Sequence, residues 1–320
     1  MIVKGIMATT LVDRHNCCIA KEALEEVAND ICNSSHVPSM GIEHDISIMP
    51  IGKVIKGEII PYGDDEFALQ MYSEIFENYD SITGLEEETY YCASSEIDHR
   101  PFADTQIVEN DKLTISLDPV NFQDNDYVDI KKYLSDECSV NTETYMRKAL
   151  IPDPQIVFQL LCGTLLYWIG KKVLEKLAEK ISDDIANSYD RIKKALSKIA
   201  ARTIPKNRPT TYVFKECDEE VLELVIITER TALVLDAIRP DKIKQIMSAL
   251  ETLRDFFGVK IAKVQFLFDE SKDKWEFNYL TTDQGKVIGT EKCYNKTRCL
   301  KVNSFSATKV DASIGLTNID

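Results

Sequence analysis

The chain of 320 residues has no G-x-G-x-x-G fingerprint and no G-x-x-x-x-G-K-[ST] loop, so nothing in it cradles a nucleotide phosphate through glycine-rich backbone. It has nine cysteines but no Cys-x-x-Cys spacing. An odd number of unpatterned thiols points to a reducing compartment, and the expected location is cytoplasmic. The first residues, "MIVKGIMATTLVDRH", lack a basic stretch followed by an apolar one, so a secretory signal is not expected. Histidines number four, and His15 lies beside two cysteines, Cys17 and Cys18. With no second ligand pair at suitable spacing, no metal and no cofactor is expected. Basic residues are scarce in the front of the chain, where residues 1–150 carry 29 acidic side chains against 11 basic, while the rest carries 24 against 27. That acidic half would repel a phosphate backbone, which excludes nucleic acid as its partner.

Long apolar runs are also rare. The one that stands out is "IVFQLLCGTLLYWIG", residues 156–170. As a helix it would reach only about 22 Å, short of the roughly 30 Å hydrocarbon core of a bilayer, so it reads as a buried helix, with membrane insertion as the alternative. Past it, Val173, Leu177, Ile181, Ile185, Ile192, Leu196 and Ile199 continue an apolar stripe at helical spacing, with lysines on the other faces. The region 155–201 is therefore expected to be one long helix, or two broken near "ISDDIANS".

Before it, the chain reads as strand-rich. "IVKGIMATTLV" alternates and "KEALEEVANDI" carries one apolar face through Leu24, Val27, Ala28 and Ile31. "IGKVIKGEII" is a strand whose Lys53, Lys56 and Glu58 suggest an exposed second face, and "DEFALQMYSEIFENY" reads as a helix near 65–78 through Phe67, Met71 and Ile75. Short strands follow at "TYYCASSEI" and "KLTISLDPV". After the prolines of "IPKNRP", "VLELVII" and "TALVLDAI" read as strands, "PDKIKQIMSALETLRDFF" as a helix opened by Pro240, and "KIAKVQFLFDESKDKWEFNYLT" as a hairpin. The expected division is 1–150, a helical segment 151–205, an α+β domain 206–302 and a Ser/Thr/Asn-rich tail 303–320.

The order "GIMATTLVDRH", "KEALEEVA", "EHD", "PIGKV" over residues 2–125 resembles the capsid maturation (prohead) proteases of tailed phages. The resemblance implies an α+β chain: a β-barrel similar to herpesvirus assemblins with flanking helices, a long amphipathic helical bridge, and a small α+β domain. In such a barrel His44 matches the base. Glu86, in "SITGLEEE", stands where the family places its nucleophilic serine, and Thr114, in "KLTISLDPVNF", stands where an acidic residue is usual. A carboxylate can pair with a protonated imidazole but cannot form the acyl-enzyme that a base-activated hydroxyl forms.

Three outcomes follow. The fold serves as a binding, assembly or phage-related sensing module, with protein as partner through self-association or an assembly protein. Alternatively a serine- or threonine-type endopeptidase has moved its nucleophile to Thr114, Ser116, Ser94 or Ser95, with Glu86 orienting His44. Or the first block is some other α+β domain, since fold alone does not fix function.

Overall fold

The computed structural model describes residues 1–12, 18–41, 45–84, 87–107, 112–145, 153–170, 183–302 and 316–318. In chain order the elements are β1 (Ile2–Thr9), α1 (Lys21–Asn33), β2 (Ser39–Met40), β3 (Gly52–Pro61), β4 (Phe67–Ile75), β5 (Asp80–Thr83), β6 (Thr89–Ala93), β7 (Thr114–Leu117), α2 (Asp124–Cys138) and β8 (Asn141–Thr144). Then come β9 (Gln155–Leu160), α3 (Thr164–Trp168), α4 (Asp183–Ala186), α5 (Ser188–Arg202), β10 (Thr210–Cys217), β11 (Val221–Thr228), α6 (Thr231–Ala237) and α7 (Pro240–Phe257). The chain continues through β12 (Ile261–Asp269), β13 (Lys274–Thr282), β14 (Val287–Thr290), α8 (Glu291–Arg298) and the antiparallel pair β15 (Leu300–Val302) and β16 (Leu316–Asn318). The protein is a mixed α and β chain of two compact units. One holds residues 1–106, 260–262 and 278–320, and the other holds 107–259 and 263–277.

In the first unit, β1, β4, β3 and β2 lie in that order as an antiparallel sheet. Helix α1 covers one face because its apolar residues recur at helical spacing: Leu24 and Ala28 pack with Leu69, and Ile31 packs with Val54 and Met71. The other face carries charge. Lys4 and Lys56 both lie over the Tyr72 ring, and Tyr72 donates its hydroxyl proton to Glu58. Strands β5, β6, β14 and β13 form a second antiparallel run, against which α8 packs. Met49, Phe76, Phe102, Tyr279 and Cys293 share its core. Burial pushes the Cys293 thiol up to about 11, against the Met49 N–H that it accepts.

Two expectations fail here. Among the described residues there is no closed barrel: β1–β4 are an open sheet with β1 and β2 at its edges. The expected helix at 65–78 is strand β4, paired on both sides. Its Leu69, Met71 and Ser73 alternate onto the α1 side, so the segment satisfies period 2 as well as a helical period, and strand partners on both flanks decide.

Lys53 is a third departure. Expected at the surface, it has no exposure. Its ammonium donates to the carbonyls of Asp98, at 2.7 Å, and Arg100, and lies over the Phe102 ring. Gly285, with φ +68°, leaves it room, since a Cβ there would collide with Nζ. Its cross-strand neighbour Glu74 accepts from the Ser95 hydroxyl and from the Glu96 N–H. Arg100 pairs with Asp98 and donates to the carbonyls of Ile31 and Ser34, which closes the C-terminal end of α1. A buried Lys–Glu pair thus clamps the 94–102 loop onto the sheet.

In the second unit, three strand pairs run parallel: β7 with β8, β9 with β10 and β11 with β12. A parallel pair needs a crossover, and helices supply all three: α2, then α3 to α5, then α6 and α7. Pairings β7–β9 and β10–β11 are antiparallel. One cross-strand row of this sheet is Ile115, Phe158, Phe214, Leu224 and Phe266, all buried, with the Phe158 and Phe214 rings stacked at 4.8 Å. The apolar stripes of α2, α5 and α7 are buried too, and α2 packs on α5, α5 on α6 and α3 on α7.

Of the apolar run expected as a helix, residues 156–160 belong to strand β9 and Thr164–Trp168 are helical, with Gly163 in the left-handed region between them. The polar Gln155 and Gln159 of β9 are four residues apart, which puts them on one face of either a helix or a strand, so the segment carries no period to distinguish the two. Beyond it, α4 and α5 are helical and meet at Asn187, while residues 171–182, with Leu177, lie outside the description. "TALVLDAI", expected as a strand, is helix α6, part of the crossover that lets β11 and β12 run parallel. No helix of the described residues is long and apolar enough to cross a membrane.

Replacing Lys53 by Met would leave two part-buried carbonyls without their donor and the buried Glu74 carboxylate without a nearby cation. The expected loss is roughly 2–4 kcal/mol of unfolding free energy, read from urea titrations. Burial lowers the Lys53 pKa to about 8, against the pull of Asp98 and Glu74. Between that value and the unfolded 10.5 the unfolded chain binds the extra proton, so this group makes stability rise with pH across that window. The rise should be missing in Lys53→Met.

Candidate functional site

Strand β7 reads T-I-S-L, so Ile115 and Leu117 enter the apolar row while Thr114 and Ser116 point to the opposite face. The register carries that face across the second unit. Asn141, Thr114, Gln159, Lys215, Glu223 and Gln265 are cross-strand neighbours in one continuous row over six strands. Each strand thus hides apolar side chains on one side and sets a polar one on the other.

At one end of the row Ser116 donates to Glu143 Oε2 at 3.2 Å, and Gln159 Nε2 donates both to Ser116 Oγ at 3.1 Å and to Glu143 Oε2 at 3.0 Å. Thr114 donates to the Lys112 carbonyl. Glu143 is exposed while Ser116 and Thr114 are buried, so the row opens to solvent at β8. At the other end Glu223, buried, pairs with Lys263 at 3.2 Å and accepts from Gln265 Nε2. The side chain of Lys215, in the middle and half-buried, makes no ion pair or hydrogen bond among the described residues, and its cross-strand neighbours are Gln159 and Glu223.

Of the residues singled out from sequence, His44 and Glu86 lie outside the described residues, as do His15 and Cys17. Thr114 and Ser116 come together on one strand face. Ser94 is exposed, and Ser95 is bound up: its hydroxyl donates to Glu74 and accepts from the N–H groups of Ile97 and Asp98. With both lone pairs occupied it cannot attack a carbonyl. His99 is exposed, on the loop held by Asp98 and Arg100. Among the described residues no group of three or more His, Cys, Asp or Glu is placed to hold a metal, and Cys18, Cys32, Cys92, Cys138, Cys217, Cys293 and Cys299 are free thiols.

Sequence reasoning missed Glu143, Gln159, Lys215, Glu223, Lys263 and Gln265. The signal was present: "QIVFQL", "TTYVFKEC", "VLELVII" and "KVQFLF" each set a polar residue inside an otherwise apolar strand, at alternate positions. No family model, no curated protein and no solved structure matches this chain.

If Ser95 is structural, Ser95→Ala leaves two part-buried N–H groups and the Glu74 carboxylate short of a partner. The variant should lose about 1–3 kcal/mol in chemical denaturation.

Proposed function

We propose that this chain works by binding, as a protein-assembly or recognition module, and not by serine-type hydrolysis. The observation that carries the reading is the state of Ser116. Its hydroxyl is fixed between a carboxylate and a side-chain amide in a row of structural hydrogen bonds, and Thr114 and Ser95 are equally engaged. A nucleophile needs its proton within reach of a base and room for an acyl group, and these hydroxyls are spent on holding strands and loops. Glu86 at the family's serine position supports the same conclusion from sequence.

The binding surface is the part of the polar row that reaches solvent, and its anchor is Lys215. A lysine side chain with no ion pair among the described residues favours a carboxylate-bearing surface, and a chain of net charge -15 supplies many. Self-association through such contacts fits the setting of capsid assembly in which the capsid maturation proteases that residues 2–125 resemble do their work. A peptidase is the second reading, favoured by the Ser116–Glu143 contact, in which the carboxylate would act as base.

A fluorophosphonate probe separates the two. No serine or threonine should be labelled, and sedimentation velocity should show concentration-dependent self-association that Lys215→Glu weakens about tenfold in Kd, or 1.4 kcal/mol. Labelling at Ser116 that disappears in Glu143→Gln would establish the peptidase. A chain that stays monomeric at every concentration would overturn the assembly reading.

A further inference from the structure

The loop at residues 94–102 is fixed from within and unassigned on its outside. The Glu74 carboxylate accepts the Ser95 hydroxyl proton and the Glu96 N–H at 2.8 Å. Ser95 Oγ in turn accepts the N–H groups of Ile97 at 3.2 Å and Asp98 at 2.7 Å. Past the tip, Lys53 donates to the carbonyls of Asp98 and Arg100, and the Pro101 carbonyl accepts from the Val37 N–H at 2.9 Å. Backbone on both sides of the tip is therefore tied to β3 and β4 through Lys53 and Glu74, whose burial carries a desolvation penalty that an apolar pair would not.

The side chains left outside are Ser94, Glu96, Ile97 and His99, all exposed. Ile97 is 57 % exposed, and beside it Glu96 has no ion pair among the described residues and only a long hydrogen bond, 3.4 Å, from Asn78 Nδ2. A branched aliphatic side chain held in water gains on being covered, and on a loop already ordered little conformational freedom is left to lose.

The second unit carries a surface of matching chemistry. Lys215 is paired across the strands with Gln159, and Val157, two residues before Gln159, lies half-buried on the same face. An unpaired cation and a part-exposed aliphatic side chain are thus diagonal neighbours there, as an unpaired carboxylate and an exposed aliphatic side chain are neighbours at Glu96 and Ile97.

We propose that the 94–102 loop of one copy of this chain docks on the Lys215 face of a second copy, with Glu96 pairing with Lys215 and Ile97 covering Val157. This rests on the reading of Lys215 as the anchor of self-association and names the surface that meets it. Each copy offers one loop and one face, so a two-fold dimer makes the contact twice, and any other arrangement closes a ring or runs on as a filament.

Charge exchange on the full chain, read by sedimentation velocity, tests this. Glu96→Lys should weaken self-association about tenfold, as Lys215→Glu should, because each sets like charges opposite one another, and the double variant should return to within about threefold of the natural chain. Ile97→Ser should weaken association without altering its dependence on salt, since it removes covered apolar area and no charge. If Lys215→Glu weakens association while Glu96→Lys and Ile97→Ser leave it unchanged, the loop is not the docking element and the Lys215 reading stands. A natural chain that stays monomeric overturns both. If Lys215→Glu fails to fold beside Glu223, Lys215→Gln and Glu96→Gln take the place of the exchange: a double variant that loses no more than either single one supports the contact, and additive losses overturn it.

Discussion

The first unit depends on one buried charge. Lys53 enters the sheet on β3 with its ammonium fully out of water, and everything around it is arranged to answer that fact. Two backbone carbonyls accept its protons, Phe102 offers a ring face, and Glu74 stands opposite on β4. Both carbonyls belong to the 94–102 loop, so satisfying the charge also fixes the loop. That loop then delivers Arg100 to the carbonyls at the end of α1. Helix, sheet and loop are therefore held by a polar constraint laid over the apolar contacts of Leu24, Ile31 and Met71. Removing one member leaves the others unpaired, and unpaired buried polar groups are costly.

The second unit is organised differently, by two faces of one sheet. The row through Phe158, Phe214 and Phe266 packs without water, and the row through Thr114, Lys215 and Glu223 is hydrogen-bonded and opens to solvent at one end. Because side chains alternate, the two rows are consequences of the same register, and a slip of one residue would exchange them. The apolar row makes the register strongly preferred. The polar row is then positioned at no further conformational cost, and Glu216 adds a carboxyl group to the apolar side at the strand's end.

Local sequence indicated some elements well and others poorly. Strand β1, strand β3, helix α1, helix α7 and the β12–β13 hairpin lie where alternation, helical spacing and the leading Pro240 place them, because each fits a single period. Segments 67–75 and 155–160 did not. The first fits both periods, and the second has its polar Gln155 and Gln159 four residues apart, a spacing that puts them on one face of a helix or of a strand alike, so neither carries a decisive signal. Helix α6 was misread because a short apolar segment rich in Val and Leu has strand character by composition, whereas a parallel pair needs a helical crossover there. The candidate site was legible only in part. Thr114 and Ser116 were singled out for a catalytic pattern, but what they do follows from Glu143 and Gln159, which are 27 and 43 residues away from Ser116 along the chain.

The sequence by itself determined the charge asymmetry, the absence of nucleotide fingerprints, and the elements whose hydrophobic period is unambiguous, since these depend only on composition and on neighbours along the chain. Tertiary structure alone decided that Lys53 is buried, that the β1–β4 strands remain an open sheet, that six polar side chains from six strands form one row, and that Glu216 meets the turn after β9. Each of these is a pairing between residues distant in sequence, and such a pairing is fixed by which strands lie side by side and in which register.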